Sequence, residues 1–182
     1  MISKEMETRI DQFIADNRQN LLQDVATLVN IKSVSVANDN PQAPYGEGCR
    51  KVLDKALQIC EGMGFATKNY DYYAGSAVYG NAEKEIALLA HLDVWSHDPY
   101  DMIEKDGYIY GRGVSDDKGP AVIGLYALKC MKELGIQPNY TYRMVFGCSE
   151  ETGMTDLPHY LAAEKEPTFA FTPDASFPDC IG

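Results

Sequence analysis

The sequence predicts an α/β fold: a three-layer α/β/α sandwich with helices on both faces of a mostly parallel mixed sheet. Three observations predict it. Segments with helical apolar spacing alternate with short strand-like segments along the chain. One of these, IALLA at 86–90, is a continuous apolar run of the kind that a parallel sheet buries on both faces. The length of 182 residues, 45% apolar and 24% charged, suits one domain with a core that needs no disulfide staples.

The elements follow in order. Ser3 can cap a helical segment with Met6, Ile10, Phe13 and Ile14 on one face, and a second segment carries Leu21, Leu22, Val25, Leu28 and Val29. Residues 33–47, rich in Asn, Pro and Ser, read as a loop. A helix from Gly48 to Glu61 turns Val52, Leu53, Ala56, Leu57 and Cys60 inward, with Gly62 and Gly64 as stop signals. Two strands, 65–73 and 76–79, flank Ala74-Gly75, and 86–90 and 108–110 read as further strands. GRGVSDDKGP then leads into a helix over 120–134, where Pro120 suits the first turn. A strand at 140–146, the segment GCSEETG, a short helix over 156–163 and a strand at 168–172 complete the pattern.

Composition narrows the function. The net charge of −11 and the lack of any Lys/Arg-rich run argue against nucleic acid and anionic membranes as partners. Five cysteines, an odd number without a CxxC pair, argue against a disulfide framework or a zinc knuckle. The charged N-terminus lacks a signal-peptide core and no apolar run approaches 18 residues, so a cytoplasmic protein is expected.

The chemistry-bearing residues fall just beyond strand ends or at a helix start: His91 and Asp93, Asp116 and Asp117, Glu150 and Glu151, and Asp174. Ligands of open α/β sheets bind outside the carboxyl ends of the strands, which brings these distant residues to one rim. Singly, each has an ordinary structural reading: a hydrogen-bonded histidine, acids at a helix N-terminus, a solvated turn, a turn former. Together, an imidazole among several carboxylates repels itself unless cations intervene. Such a donor set suits zinc, or manganese and cobalt. A neighbouring carboxylate is then free to act as general base, and Asp93 can accept the other ring N–H of His91. Lys118 reads as a surface or helix-start residue, and Cys148 as a small buried one. Gly111 and Gly113 serve backbone geometry, since no phosphate-binding motif is present. Tyr72, Tyr73 and Tyr79 suit strand packing or an interface.

HLDV at 91–94, YGRGVSDDKGP at 110–120, GCSEETG at 147–153 and PDASFP at 173–178 together resemble the zinc-dependent aminoacylase and carboxypeptidase family. Within it, the chain is most similar to the bacterial dipeptidase V-like and carnosinase-like dipeptidases. The resemblance implies two Zn2+ ions per complete site, with Co2+ or Mn2+ as substitutes. It implies His91 and Asp174 on the first ion, Asp116 bridging both, Glu151 on the second, Asp93 orienting His91, and Glu150 as the catalytic general base. It also implies a cis peptide between Asp116 and Asp117, and hydrolysis of small peptide substrates.

The chain departs from the family pattern in length. The family completes its second-ion site with a late histidine and grips substrate with a lid domain, whereas this sequence ends eight residues after Asp174. His97 and His159 stand at no matching position. The expectation is therefore the N-terminal portion of a catalytic domain over 1–182, without lid or C-terminal catalytic segment. It would show partial metal occupancy, little activity alone, and a homodimer through an open sheet edge. Two rival functions share these motifs: an N-acyl amino acid deacylase or desuccinylase, and a catalytically dead metal-binding or association scaffold.

Overall fold

The computed structural model describes residues 2–96 and 99–174. It opens with α1 (Lys4–Val29), whose first turn is capped by Ser3 Oγ accepting the Met6 N–H at 3.2 Å. The two segments expected here form one helix of 26 residues. The shift of the apolar stripe between Ile14 and Leu21 is bridged by Asn17, whose side chain is buried without breaking the helix. Its amide donates to Phe13 O (3.0 Å), and its oxygen accepts from Lys129 Nζ (2.6 Å). A mid-helix polar group is tolerated where both ends are satisfied.

After the loop, α2 (Glu47–Gly62) leads to the hairpin β1 (Ala66–Tyr70) and β2 (Ala74–Tyr79). The hairpin turn lies at 71–73, three residues before the expected Ala74-Gly75. Asp71 and Tyr72 take left-handed backbone conformations (φ 53° and 62°), and Asn69 Oδ1 accepts the Tyr72 N–H at 2.8 Å. Ala74 and Gly75 pair instead with Gly147 and Phe146. Next come β3 (Glu85–His91), a small hairpin of β4 (Ile103–Lys105) and β5 (Tyr108–Tyr110), and α3 (Lys118–Glu133). The chain continues through β6 (Thr141–Gly147), a 3-10 turn (Glu150–Thr152), α4 (Leu157–Ala163) and β7 (Phe169–Phe171). Strand β4 was not expected, yet Asp106-Gly107, both at positive φ, is the signature of a two-residue hairpin turn.

The main sheet runs β1-β2-β6-β3-β7. Its β1 half is antiparallel, while β6, β3 and β7 run parallel. Helices α1, α2 and α3 bury one face over Leu28, Leu53, Val122, Leu125, Met144 and Phe146. Helix α4 covers part of the other face, its Tyr160 ring meeting Tyr70 edge-on at 5.0 Å. No helix among the described residues is long and apolar enough to cross a membrane. Cys49, Cys60, Cys130 and Cys148 carry free thiols, and Cys148 is fully buried; Cys180 and His97 lie outside the described residues.

Register places the strand ends. His91 pairs with Gly147 across β3 and β6, and Leu88 pairs with Phe171 across β3 and β7. Continuing the parallel register three residues beyond Phe171 brings Asp174 level with His91. Alternate connections therefore deliver His91, the Glu150–Glu151 turn and Asp174 to one rim.

Candidate metal centre

His91 is the last residue of β3, and its ring is buried. Its Nδ1 lies 3.0 Å from the main-chain oxygen of Asp93 and 3.3 Å from Asp93 Oδ1. A carbonyl oxygen only accepts, so Nδ1 carries the proton and Nε2 is the nitrogen available to a cation. Nε2 faces Asp116 Oδ1 at 2.9 Å, Asp174 Oδ2 at 3.5 Å and Glu150 Oε2 at 3.9 Å. Two donor groups, His91 with Asp116 and Asp174, and His91 with Glu150 and Glu151, bring their ligand atoms within 4.8 Å of one another.

The carboxylate of Asp93 does more than face the ring. It is fully buried, and its two oxygens accept the backbone N–H groups of Glu150 and Glu151, each at 3.1 Å. Asp93 thus ties the imidazole to the turn that carries both glutamates. Asp116 and Asp117 are joined by a cis peptide bond. Asp116 projects into solvent with 60% of its side chain exposed, whereas Asp117 is fully buried. Asp117 Oδ2 accepts the His91 N–H at 3.1 Å, while its Oδ1 is buried without a partner.

Lys118, expected at the surface or a helix start, does begin α3 but is fully buried. A cation is unfavourable at the N-terminus of its own helix. Its ammonium reaches instead to the C-terminal end of α1, donating to Leu28 O (3.0 Å) and Ile31 O (2.7 Å). Burial lowers its pKa to about 8. The loop before it packs tightly: a Cβ on Gly119 would lie 1.9 Å from Val114 O, so only glycine fits there. His159, outside the family pattern, is stacked on Tyr73 at 4.0 Å with its Nε2 3.1 Å from Asp71.

The electrostatics follow from crowding. Burial raises the Glu151 pKa to about 7, with Asp116 adding to the shift, and raises Glu150 in the same direction. Burial likewise takes Asp117 to about 7. For His91, burial alone would favour the neutral ring, but the Asp93 hydrogen bond and the charges of Asp93, Asp117 and Asp116 outweigh it and raise the pKa to about 10. Without an ion the cluster therefore holds protons, and a divalent cation would take their place. One imidazole and four carboxylates converging on a solvent-open rim fit zinc, cobalt or manganese. Beside the cluster, an open groove of about 480 Å³ runs over the second sheet face, past Leu89, Val145, Leu157, Tyr160 and Phe171.

The chain is similar to known proteins in sequence and in fold. The chain is 36% identical over 168 residues to YtjP of Bacillus subtilis (strain 168), covering 88% of this chain and 36% of that protein. It is 33% identical over 181 residues to the Beta-Ala-Xaa dipeptidase of Lactobacillus delbrueckii subsp. lactis, covering 95% and 38%. The chain thus spans little more than a third of the length of these curated relatives. In fold it is similar to the crystal structure of human carnosine dipeptidase 1, with a TM-score of 0.77 at 22% identity over 92% of this chain and 41% of that one. The sequence profile of Peptidase family M20/M25/M40 matches residues 87–180, which hold every residue of the cluster, and the chain belongs to that family.

Proposed function

We propose that this chain supplies the cation-binding rim of a metallo-dipeptidase that hydrolyses small peptides. The observation that carries the proposal is the convergence of His91 Nε2 on Asp116, Asp174 and Glu150 at the ends of parallel strands. The dipeptidase named among its relatives supports the substrate class.

His91, Asp116 and Asp174 would hold one divalent cation, and Asp116 with Glu151 would contribute to a second; Zn2+ is the proposed ion. The bound cations supply Lewis acidity, which polarises the scissile carbonyl and lowers the pKa of water. Glu150 acts as general base: it receives a proton from water at its carboxylate and passes it to the leaving amine. Burial raises its pKa above the ordinary carboxylate value, which makes its carboxylate a stronger base. Asp93 holds Nδ1 protonated, which keeps the Nε2 lone pair directed at the rim.

The 182 residues form, in this proposal, one portion of a larger catalytic unit, with partial metal occupancy and little turnover alone. Buried free thiols suit a reducing compartment, so the cytoplasm is the proposed location. The test is calorimetric titration of the chain with Zn2+ and Co2+. It is paired with hydrolysis assays, on dipeptides and on N-acyl amino acids, of a polypeptide that contains this chain and matches its relatives in length. Binding of a first ion that is lost in His91→Ala, and dipeptide turnover that is lost in Glu150→Ala, are expected. Turnover that survives Glu150→Ala would overturn the mechanism, and preference for N-acyl amino acids would overturn the substrate class.

A further inference from the structure

Strand β6 ends at Gly147, and only three residues later the chain must present Glu150 and Glu151 at the rim. The amides of residues 148–151 lie between the sheet ladder and the 3-10 turn, where regular structure offers them few partners. Two buried carboxylates take all four. Asp93 accepts from Glu150 and Glu151, and Asp156 Oδ2 accepts from both Cys148 N and Ser149 N, the latter at 3.0 Å. We propose that Asp156 is a positioning residue for the catalytic turn: it fixes the backbone from which Glu150 and Glu151 project. The proposal rests on the roles given above to those two glutamates.

Three observations support it. Asp156 occupies the N-cap position of α4, where an aspartate normally caps its own helix, yet its side chain makes no such bond. It points back to the strand end, and only 4% of the residue is exposed. The turn answers it: the Asp156 N–H donates to Ser149 Oγ at 3.1 Å, and Thr155 links Ser149 Oγ (3.3 Å) to Tyr45 OH (2.8 Å). Finally, β6 ends in glycine where the carboxylate needs room, because a Cβ on Gly147 would lie 2.7 Å from Asp156 Oδ2. Asp156 belongs to neither donor group, and its Oδ2 is spent on the two amides of the turn.

The geometry makes an unusual demand on substitutions. Both amides use one oxygen of Asp156, so an asparagine can keep both bonds. The amides held by Asp93 use its two different oxygens, so an asparagine there cannot. The experiment compares Asp156→Ala, Asp156→Asn and Gly147→Ala with the parent chain. Its readouts are amide hydrogen exchange by NMR and Co2+ titration. In Asp156→Ala, exchange at residues 148–151 should quicken about tenfold or more while Leu88 and Val145 stay protected, and Co2+ affinity should fall by a similar factor. Asp156→Asn, which keeps both contacts with a weaker neutral acceptor, should recover a clear part of both losses, a rescue that a role in bulk stability or net charge does not predict. Gly147→Ala, which keeps the aspartate but occupies its place, should reproduce the loss and serves if Asp156→Ala fails to fold. Unchanged exchange at 148–151 in Asp156→Ala, or an Asp156→Asn that behaves like the alanine variant, would overturn the proposal. A parent chain that binds no Co2+ would instead overturn the metal reading of the rim, and the exchange experiment would still decide the role of Asp156.

Discussion

Substituting Asp93 by asparagine is nearly isosteric, yet the structure predicts a large effect. The two carboxylate oxygens of Asp93 each accept a different backbone N–H, from Glu150 and Glu151. An asparagine offers one oxygen and one NH2 group, so one of the two N–H groups must face another donor in a site closed to water. Leaving a buried donor unsatisfied costs roughly 1–3 kcal/mol, and converting the remaining bond from a charged to a neutral acceptor removes about 1 more. Asp93→Asn should therefore destabilise the fold by about 2–4 kcal/mol. For a chain of this length that is a fall of roughly 5–15 °C in Tm. A second effect follows at His91, whose raised pKa owes more to Asp93 than to any other charged neighbour. Without that charge the ring pKa should drop toward its ordinary value. Thermal melts followed by circular dichroism measure the first effect. The second is read from the ring-proton shifts of the three histidines against pH, which NMR resolves individually. A Tm within about 1 °C of the parent, together with an unmoved His91 titration, would refute the description of Asp93 as the clamp between imidazole and turn.

Other outcomes follow from the same structure. The raised His91 pKa contributes stability that is complete below 6.5 and is lost as pH rises toward 10. Glu151, protonated in the fold up to about 7 but ionised when unfolded above 4.5, acts in the same sense. The ion-free chain should therefore melt lower at pH 8 than at pH 5.5, and saturating Zn2+ should flatten or reverse the difference; a higher ion-free Tm at pH 8 counts against this balance. Lys118→Met strips the donor from Leu28 O and Ile31 O, a loss of roughly 1.5–3 kcal/mol per bond, partly offset by about 3 kcal/mol of relief from burying an ammonium whose pKa falls from 10.5 to about 8. A net loss of up to about 3 kcal/mol in urea unfolding is expected, and a variant more stable than the parent would contradict it. Strand β7 closes one end of the sheet order with Phe169 and Phe171 exposed, so self-association through that edge is expected. Sedimentation equilibrium should reveal it, and Ala170→Lys should weaken it; a monomer at every concentration argues for an edge that pairs with nothing.

Much of the fold was legible because apolar spacing carries it. The run 86–90 reads as a doubly buried strand, and β3 indeed lies between β6 and β7. The rim was legible for a different reason: chain order and parallel pairing bring residues that follow strands to the same end, whatever their separation in sequence. Local chemistry was harder to foresee where a side chain serves a distant element. Asn17 satisfies a lysine from α3, and Lys118 serves the far end of α1; neither partner can be inferred from neighbours in sequence. Asp156 reads as an ordinary helix start, and only the folded chain brings its carboxylate to the end of β6. Strand β4 does carry a local signal, the Asp106-Gly107 turn between Ile103 and Tyr110, but at three residues it is too short to show an apolar period.

The same burial that perturbs the rim also explains why it needs an ion. Asp93 and Asp117 are wholly buried; Asp117 spends one oxygen on the His91 N–H, and Asp93 spends both of its oxygens on the N–H groups of the glutamate turn. These bonds fix the positions of the imidazole and the glutamates before any cation arrives. The carboxylates of Asp116, Asp174, Glu150 and Glu151 are then left to face one another across the rim, and their repulsion is relieved by protons on His91 and Glu151 in the ion-free chain. A divalent cation relieves it more completely, because it interacts with several carboxylates at once and lets Nε2 stay neutral. Binding must therefore release protons, and the affinity must rise with pH between about 6 and 8. Calorimetry in two buffers of different ionisation enthalpy would measure the number released. A value near zero would mean that the rim is already deprotonated, and that the crowding of carboxylates does not set its chemistry.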